Sequence, residues 1–242
     1  MAKTIGKAAV KLEKQINGLK YTLFCLNVIA WILAAVLLSQ TIYSRLDTEF
    51  QDFIDKLELW CYYWGLYVLM FVALIILVSC VFSCAAIYQE IAQLLQLSVA
   101  VQGLCFLLLL VGVSILEENS TVNSRIQPIL RDILRQLIMN SRYETVSVRL
   151  NSIQETIGCC GADGATDYIH YRQPLPSECR DTVTGNPFFH GCVDEMTWLL
   201  QDKSSWIAGI SITLSALHVG IGVLTLILIQ ALKKESSISF RS

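Results

Sequence analysis

Four stretches of the chain contain no Asp, Glu, Lys or Arg: Tyr21 to Ser44, Leu59 to Gln89, Ile91 to Leu116 and Ser204 to Leu232. At ~1.5 Å rise per residue, each is long enough to cross a hydrocarbon core of ~30 Å. Inside that core no water meets the backbone N–H and C=O groups, so each run must satisfy them within itself, as a helix. Composition argues against the other reading, buried helices of a soluble domain. Hydrophobic residues make up 54% of the chain and charged residues 16%, which leaves too little polar sequence to wrap four such helices.

Basic residues set the expected orientation. Lys3, Lys7, Lys11, Lys14 and Lys20 precede the first run, and Lys233, Lys234 and Arg241 follow the last. The first connecting loop has Arg45 and Lys56 against Asp47, Glu49, Asp52, Asp55 and Glu58. Short loops rich in Lys and Arg stay on the cytoplasmic side, so both termini are expected there; long loops cross largely regardless of charge. The lysine-rich start runs into a full-length apolar segment, which reads as a spanning anchor and not a cleaved signal. Lysines alternate there with Ile5, Val10, Leu12 and Ile16, which fits a tail on the inner leaflet as well as a solvated one. A net charge of −2 gives no support to a nucleic-acid partner.

The long polar block from Glu117 to Lys203 holds four of the nine cysteines, Cys159, Cys160, Cys179 and Cys192. On the outer side of a membrane such a set reads as a disulfide framework. Pairing the adjacent Cys159 and Cys160 would strain the ring and leave the loop unstapled, so one nested and one crossed pairing stay open. Apolar residues recur at helical spacing through Ile126, Leu130, Ile133, Leu134, Leu137 and Ile138, and again through Val146, Leu150, Ile153 and Ile157. Two amphipathic helices that leave the membrane and pack together are expected, with Pro128 marking a kink or restart near the exit. Between Gly161 and Cys192 a loop-rich cap is expected, because Gly164, Pro174, Pro176, Gly185 and Pro187 interrupt any period. From Val193 a last helix returns and becomes span four. Trp60, Tyr62, Tyr63, Trp64 and Tyr67 read as an interfacial belt at the outer end of span two.

The expected fold class is therefore an all-α membrane protein, four transmembrane helices plus a disulfide-stapled, mainly helical large extracellular loop. Its expected segments are a tail 1–20, spans 21–43, 59–85, 91–116 and 204–232, a small outer loop 44–58, a cytoplasmic turn 86–90, a large outer loop 117–203 and a tail 233–242.

With Cys159-Cys160-Gly161 in the second outer loop of a four-span chain, and two later cysteines, the sequence resembles the tetraspanin family. Claudin-like chains fit less well, since their larger cysteine-bearing loop comes first. Departures from the family pattern are Pro176-Ser177-Glu178-Cys179, where Pro-x-Ser-Cys is frequent, and Ser83-Cys84, where Gly-Cys is frequent. No Tyr-x-x-apolar sorting signal stands in the C-terminal tail. The resemblance implies the nested pairing, Cys159 with Cys192 and Cys160 with Cys179. It also implies a non-enzymatic scaffold that binds partner membrane proteins laterally through its spans and large loop and groups them into microdomains, with effects on adhesion, trafficking or junction assembly. The alternative is a conformational switch that binds a membrane lipid, a sterol for example; a pore is a third and weaker reading. Plasma-membrane placement with an endosomal pool, and self-association into homo-oligomers, accord with the same family.

Chemistry-bearing patterns are scarce. His170, His190 and His218 are scattered, no Cys/His spacing suits a metal, and neither a phosphate loop nor a nucleophile elbow occurs, so no enzyme, cofactor or metal is expected. The spans carry Asn27 and Gln96, at a shared depth of roughly 7–10 Å from the cytoplasmic ends, and Gln102 and His218 near the midplane. These four are expected to be interhelical glue or, by the resemblance, the lining of an intramembrane lipid pocket. Cys25, Cys80 and Cys84 are candidates for S-acylation by their cytoplasmic-side position. Cys105 reads as packing, and Cys61 lies on the outer side. One N-glycosylation sequon occurs, Asn119-Ser120-Thr121.

Overall fold

The computed structural model describes residues 2–47, 60–121, 125–181 and 184–239. Most of the small outer loop 44–58, the side chains of Lys3, Lys7, Lys11 and Cys61, and Arg241 lie outside the described residues. Seven α-helices are present among those described: α1 Ala2–Leu46, α2 Trp60–Gln89, α3 Ala92–Glu118, α4 Ile126–Met139, α5 Glu144–Ile157, α6 Thr166–His170 and α7 Cys192–Ser239, with a 3-10 turn at Ser177–Cys179. Helices α1, α2, α3 and α7 are long and apolar enough to cross a membrane, and the chain is a multi-pass membrane protein. Helix α1 includes the basic tail, since Lys, Leu and Ala favour helix and the stretch carries no proline. Likewise α7 runs unbroken from the cap through the fourth span.

The chain divides into two compact units. The first comprises Met1–Ile42, Tyr67–Val113 and Gly209–Ser242. Its buried positions follow alternating steps of three and four residues on every helix: Leu23, Asn27, Ala30, Ala34, Leu37 and Thr41 on α1; Leu69, Ala73, Ile76, Cys80, Ser83 and Ile87 on α2; Leu95, Ser98, Gln102, Cys105 and Leu109 on α3; Ser211, Leu214, His218, Ile221, Thr225 and Leu228 on α7. A seam that repeats every seven residues is the signature of left-handed knobs-into-holes packing. Lipid tails are as apolar as leucine, so close van der Waals contact must drive this association. Gly112 shows the consequence, because a Cβ built there would stand 2.6 Å from Leu69 Cδ2. At one end Lys20 pairs with Glu90, which closes the α2–α3 turn in a left-handed conformation, φ 57.

The second unit comprises Tyr43–Leu66 and Ser114–Ala208. Helix α4 buries Ile126, Leu130, Leu134 and Ile138, one stripe at four-residue steps, and packs against α5. Pro128 falls in the first turn of α4, where its missing N–H costs no helical bond, so it marks a restart. Gly158 ends α5 at φ 75, and its N–H donates to Gln154 O. The aromatic cluster splits: Trp60, Trp64 and Tyr67 are exposed, but Tyr62 and Tyr63 are buried. The guanidinium of Arg45 stacks 4.5 Å over the Tyr63 ring, and Lys203 pairs with Asp47. Only the exposed three can act as a belt; the other two belong to the packing.

Candidate functional site

The cap is built where α5 ends and α7 begins. Disulfides join Cys159 to Cys192 and Cys160 to Cys179, each with Cα atoms 4.9 Å apart. Backbone hydrogen bonds knit the same point: Cys160 N–H donates to His190 O, Cys192 N–H to Gly161 O and Val193 N–H to Ala162 O. Gly161 sits at φ 70, and a Cβ there would lie 2.0 Å from Gly164 O, so the third residue of the Cys-Cys-Gly motif has no room for a side chain. Asp167 Oδ2 then accepts from the N–H groups of Ala162 (2.9 Å) and Asp163 (2.8 Å), which folds 161–167 into a tight loop.

Two anchors fasten that loop to the helices. Arg131 Nε donates to Asp163 Oδ1 at 2.8 Å, and Arg135 Nη2 to Oδ2 at 2.9 Å. Burial pushes the Asp163 carboxyl up, but the hydrogen bonds and charges of Arg131 and Arg135 outweigh it and hold the group below the usual carboxylate range. Beneath α6, Tyr168 is buried and its hydroxyl accepts from Gln154 Nε2 at 2.7 Å. That burial pushes the phenol up to about 12.

A group with a depressed folded-state value stabilises above its unfolded value and loses that contribution as pH falls. Asp163→Asn is therefore expected to weaken the cap by about 1 kcal/mol at pH 7, a modest figure because the clamp is partly exposed. Amide exchange at Ala162 and Asp163 should show this difference at pH 7 and lose it as pH falls below the ordinary aspartate value, through the depressed value of the folded state. An undiminished difference at low pH would assign the effect to packing.

The first unit holds a different constellation. Ser83 and Ser98 share a hydrogen bond of 2.8 Å between α2 and α3, and Gln102 Nε2 reaches both hydroxyls at 3.3 Å. Gln102 Oε1 is buried with no partner, as are Ser215 Oγ and both ring nitrogens of His218. A Cβ built on Gly222 would stand 3.7 Å from Gln102 Oε1, so that oxygen faces the side of α7 that carries Ser215, His218 and Gly222 at three- and four-residue steps. Four orphaned polar atoms in a hydrocarbon-embedded core are costly unless something meets them. Asn27 is buried, but its amide donates to Leu23 O of its own helix at 2.9 Å. Gln96 is exposed on α3 and is not brought to Gln102. Ser83, Ser98 and Ser215 complete the set. Ser98 stands four residues before Gln102 and Ser215 three before His218, steps that share one helix face, and that spacing is the signal that finds these two; Ser83, on another helix, carries no such signal.

The remaining candidates are dispersed. Cys25 is exposed, Cys84 half-buried and Cys80 only 2% exposed, facing the seam. An acyl chain on Cys80 would have to displace a helix, which leaves Cys25 and Cys84 as the proposed attachment points. Replacing both with serine should abolish labelling by a palmitate analogue, and Cys80→Ser should leave it intact; loss of label from Cys80→Ser alone would reverse the assignment. In the sequon, Asn119 Nδ2 donates to Ile115 O, and the Ser120 and Thr121 hydroxyls donate to Leu116 O and Glu117 O. All three side chains fold back on the last turn of α3.

Four membrane-length helices and a two-bridge cap centred on Cys-Cys-Gly define a class of protein, and a family model agrees: the tetraspanin family model matches residues 19–231. The chain belongs to the tetraspanin family. Among its relatives, Tetraspanin-2A of Drosophila melanogaster is 41% identical over 230 residues, covering 95% of this chain and 94% of that protein. The CD151 antigens of Mus musculus and Rattus norvegicus are 22% and 23% identical, covering 90% of this chain and 93% of theirs. Family membership supports a membrane-organising role in general, exercised in association with other membrane proteins.

Proposed function

We propose that this chain is a non-enzymatic plasma-membrane organiser, with an endosomal pool, that gathers partner membrane proteins into microdomains through its lipid-facing helices and its cap. The observation that carries this reading is a rigidly anchored cap that leaves large apolar side chains, Ile169 and Phe189, in the open. Exposed anchors on a pre-ordered scaffold suit recognition, since little ordering cost is left for binding. Both termini face the cytoplasm in this reading. Exchanging residues 162–191 for the corresponding segment of a distant tetraspanin and identifying co-isolated membrane proteins in digitonin tests it. The partner set should change with the cap. An unchanged set, equal to that of an unrelated four-span control, would refute the proposal.

The orphaned atoms around Gln102 and His218 favour a second, compatible reading, a lipid hydroxyl bound in the helical seam. One hydroxyl can donate to Gln102 Oε1 and accept from a His218 N–H. In sterol-free nanodiscs His218→Leu is expected to stabilise the bundle by about 1 kcal/mol, because it removes unpaired polar atoms. In sterol-containing nanodiscs it should abolish crosslinking to a photoreactive sterol. Destabilisation in the sterol-free bilayer would instead mean that His218 is glue between helices.

A further inference from the structure

A cavity of about 560 Å³ opens where α4 meets α6, lined by Arg135, Thr166, Asp167, Ile169, His170 and Tyr171. Its polar groups are largely uncommitted. Arg135 gives one nitrogen, Nη2, to Asp163, and its Nε–H is buried without an acceptor. No hydrogen bond among the described residues engages the Thr166 and Tyr171 hydroxyls or the His170 ring, which meets the Tyr171 ring edge to face with centroids 5.2 Å apart. Asp167 Oδ2 accepts two backbone N–H groups, which leaves Oδ1 as a spare acceptor.

The charges select among ligands. Two guanidinium groups, Arg131 and Arg135, share the one carboxylate of Asp163, so positive charge is left over on the α4 side. A second carboxylate, Asp167, belongs to the lining itself. A bare anion such as phosphate would be drawn by Arg135 and repelled by Asp167. A ligand with a carboxylate at one end and hydroxyls along the rest suits both, because the carboxylate accepts from Arg135 Nε–H and a hydroxyl donates to Asp167 Oδ1. Further hydroxyls can pair with Thr166 and Tyr171. Ile169 and the Tyr171 ring supply an apolar surface for the C–H face of a pyranose ring.

We propose that this cavity binds an acidic sugar, a pyranose that bears a carboxylate, as uronic and sialic acids do. Its size is that of a small-molecule site, for which volumes of about 300–1,000 Å³ are usual. Arg135 recognises the carboxylate, Asp167 demands hydroxyls in place of a second negative charge, and Thr166 and Tyr171 orient the ring. The site does not rest on the organiser reading, and its failure would leave that reading untouched.

The test titrates the full-length chain, in nanodiscs free of glycolipid, with glucuronic acid, sialic acid, glucose and inorganic phosphate, followed by saturation-transfer NMR. Both acidic sugars should bind, with glucose and phosphate roughly tenfold weaker or worse. Thr166→Val combined with Tyr171→Phe should weaken the acidic sugars by roughly tenfold and leave amide protection at Ala162 and Asp163 unchanged, since neither side chain makes a hydrogen bond within the cap. Arg135→Lys should abolish binding, and if it also loosens the cap, the double variant decides. Glucose or phosphate binding as tightly as glucuronic acid, or full affinity in the double variant, would overturn the site. Glycolipid carrying an acidic sugar is then added to the same bilayer. Displacement of the free sugar assigns a headgroup as the source, and displacement only by a soluble acidic oligosaccharide assigns a glycan away from the membrane; either outcome upholds the site, and displacement by neither would overturn it.

Discussion

Replacing Cys159 and Cys192 together with serine is expected to unfold the cap while the four membrane helices persist. The bond spans a sequence separation of 33, and closing a loop of that size restricts the unfolded chain by about 4 kcal/mol in the entropy model. Its removal also frees the point where α5, α7 and the Gly161 loop meet, so the N–H groups of Cys160 and Val193 should lose protection from exchange. The Cys160–Cys179 bond, with a separation of 19, carries about 3 kcal/mol by the same reasoning and holds only the 3-10 turn. Hydrogen exchange in nanodiscs is the measurement. Wild-type protection at residues 160 and 193 in the double variant would show that hydrogen bonds alone hold the cap. Non-reducing peptide mapping gives an independent check, because a Cys159–Cys179 peptide would contradict the nested pairing.

Spans and stalk were legible because their signals are long and redundant. An uncharged run of more than twenty residues has one structural solution in lipid, and Ile126 to Ile138 and Val146 to Ile157 repeat their apolar spacing often enough to define a face. Inside the spans, composition hides the buried side, since lipid-facing and core residues are equally apolar. There the three- and four-residue spacing of the few polar residues, Ser98 with Gln102 and Ser215 with His218, was the readable signal, and it separates Gln102 from Gln96, which lies on another face of the helix. Tyr62 and Tyr63 misled for a related reason: an aromatic cluster at a span end has the same composition whether it meets headgroups or packs inward, as it does under Arg45. The cap resisted prediction beyond its cysteines. Its shape depends on contacts between residues distant in sequence, such as Arg131 with Asp163 and Gln154 with Tyr168, which no local pattern announces.

Gly161→Ala should damage the cap far more than alanine at other left-handed glycines. Three such positions form a series that separates conformational strain from collision. Gly185 has φ 69 with nothing within 4 Å of a built Cβ, so alanine there costs only the strain of the left-handed region, about 1 kcal/mol. Gly158 has φ 75, and its nearest neighbour is Phe188 at 3.7 Å, an ordinary contact, so a similar loss is expected. At Gly161 the same strain applies, but the added carbon also lies 2.0 Å from Gly164 O and 2.8 Å from Gly164 C. Those are backbone atoms and cannot swing aside as a side chain would. Relief requires the 161–167 loop to move, which breaks the bonds from Ala162 and Asp163 to Asp167 and the bond from Cys192 to Gly161 O. The combined loss should reach roughly 3–5 kcal/mol, enough to impair oxidative folding of the cap. Expression of the three variants and their protection from exchange at residues 160–193 test this order. Equal effects at 158, 161 and 185 would mean that strain alone governs, and that the third position of the motif is glycine for its backbone freedom and not for space.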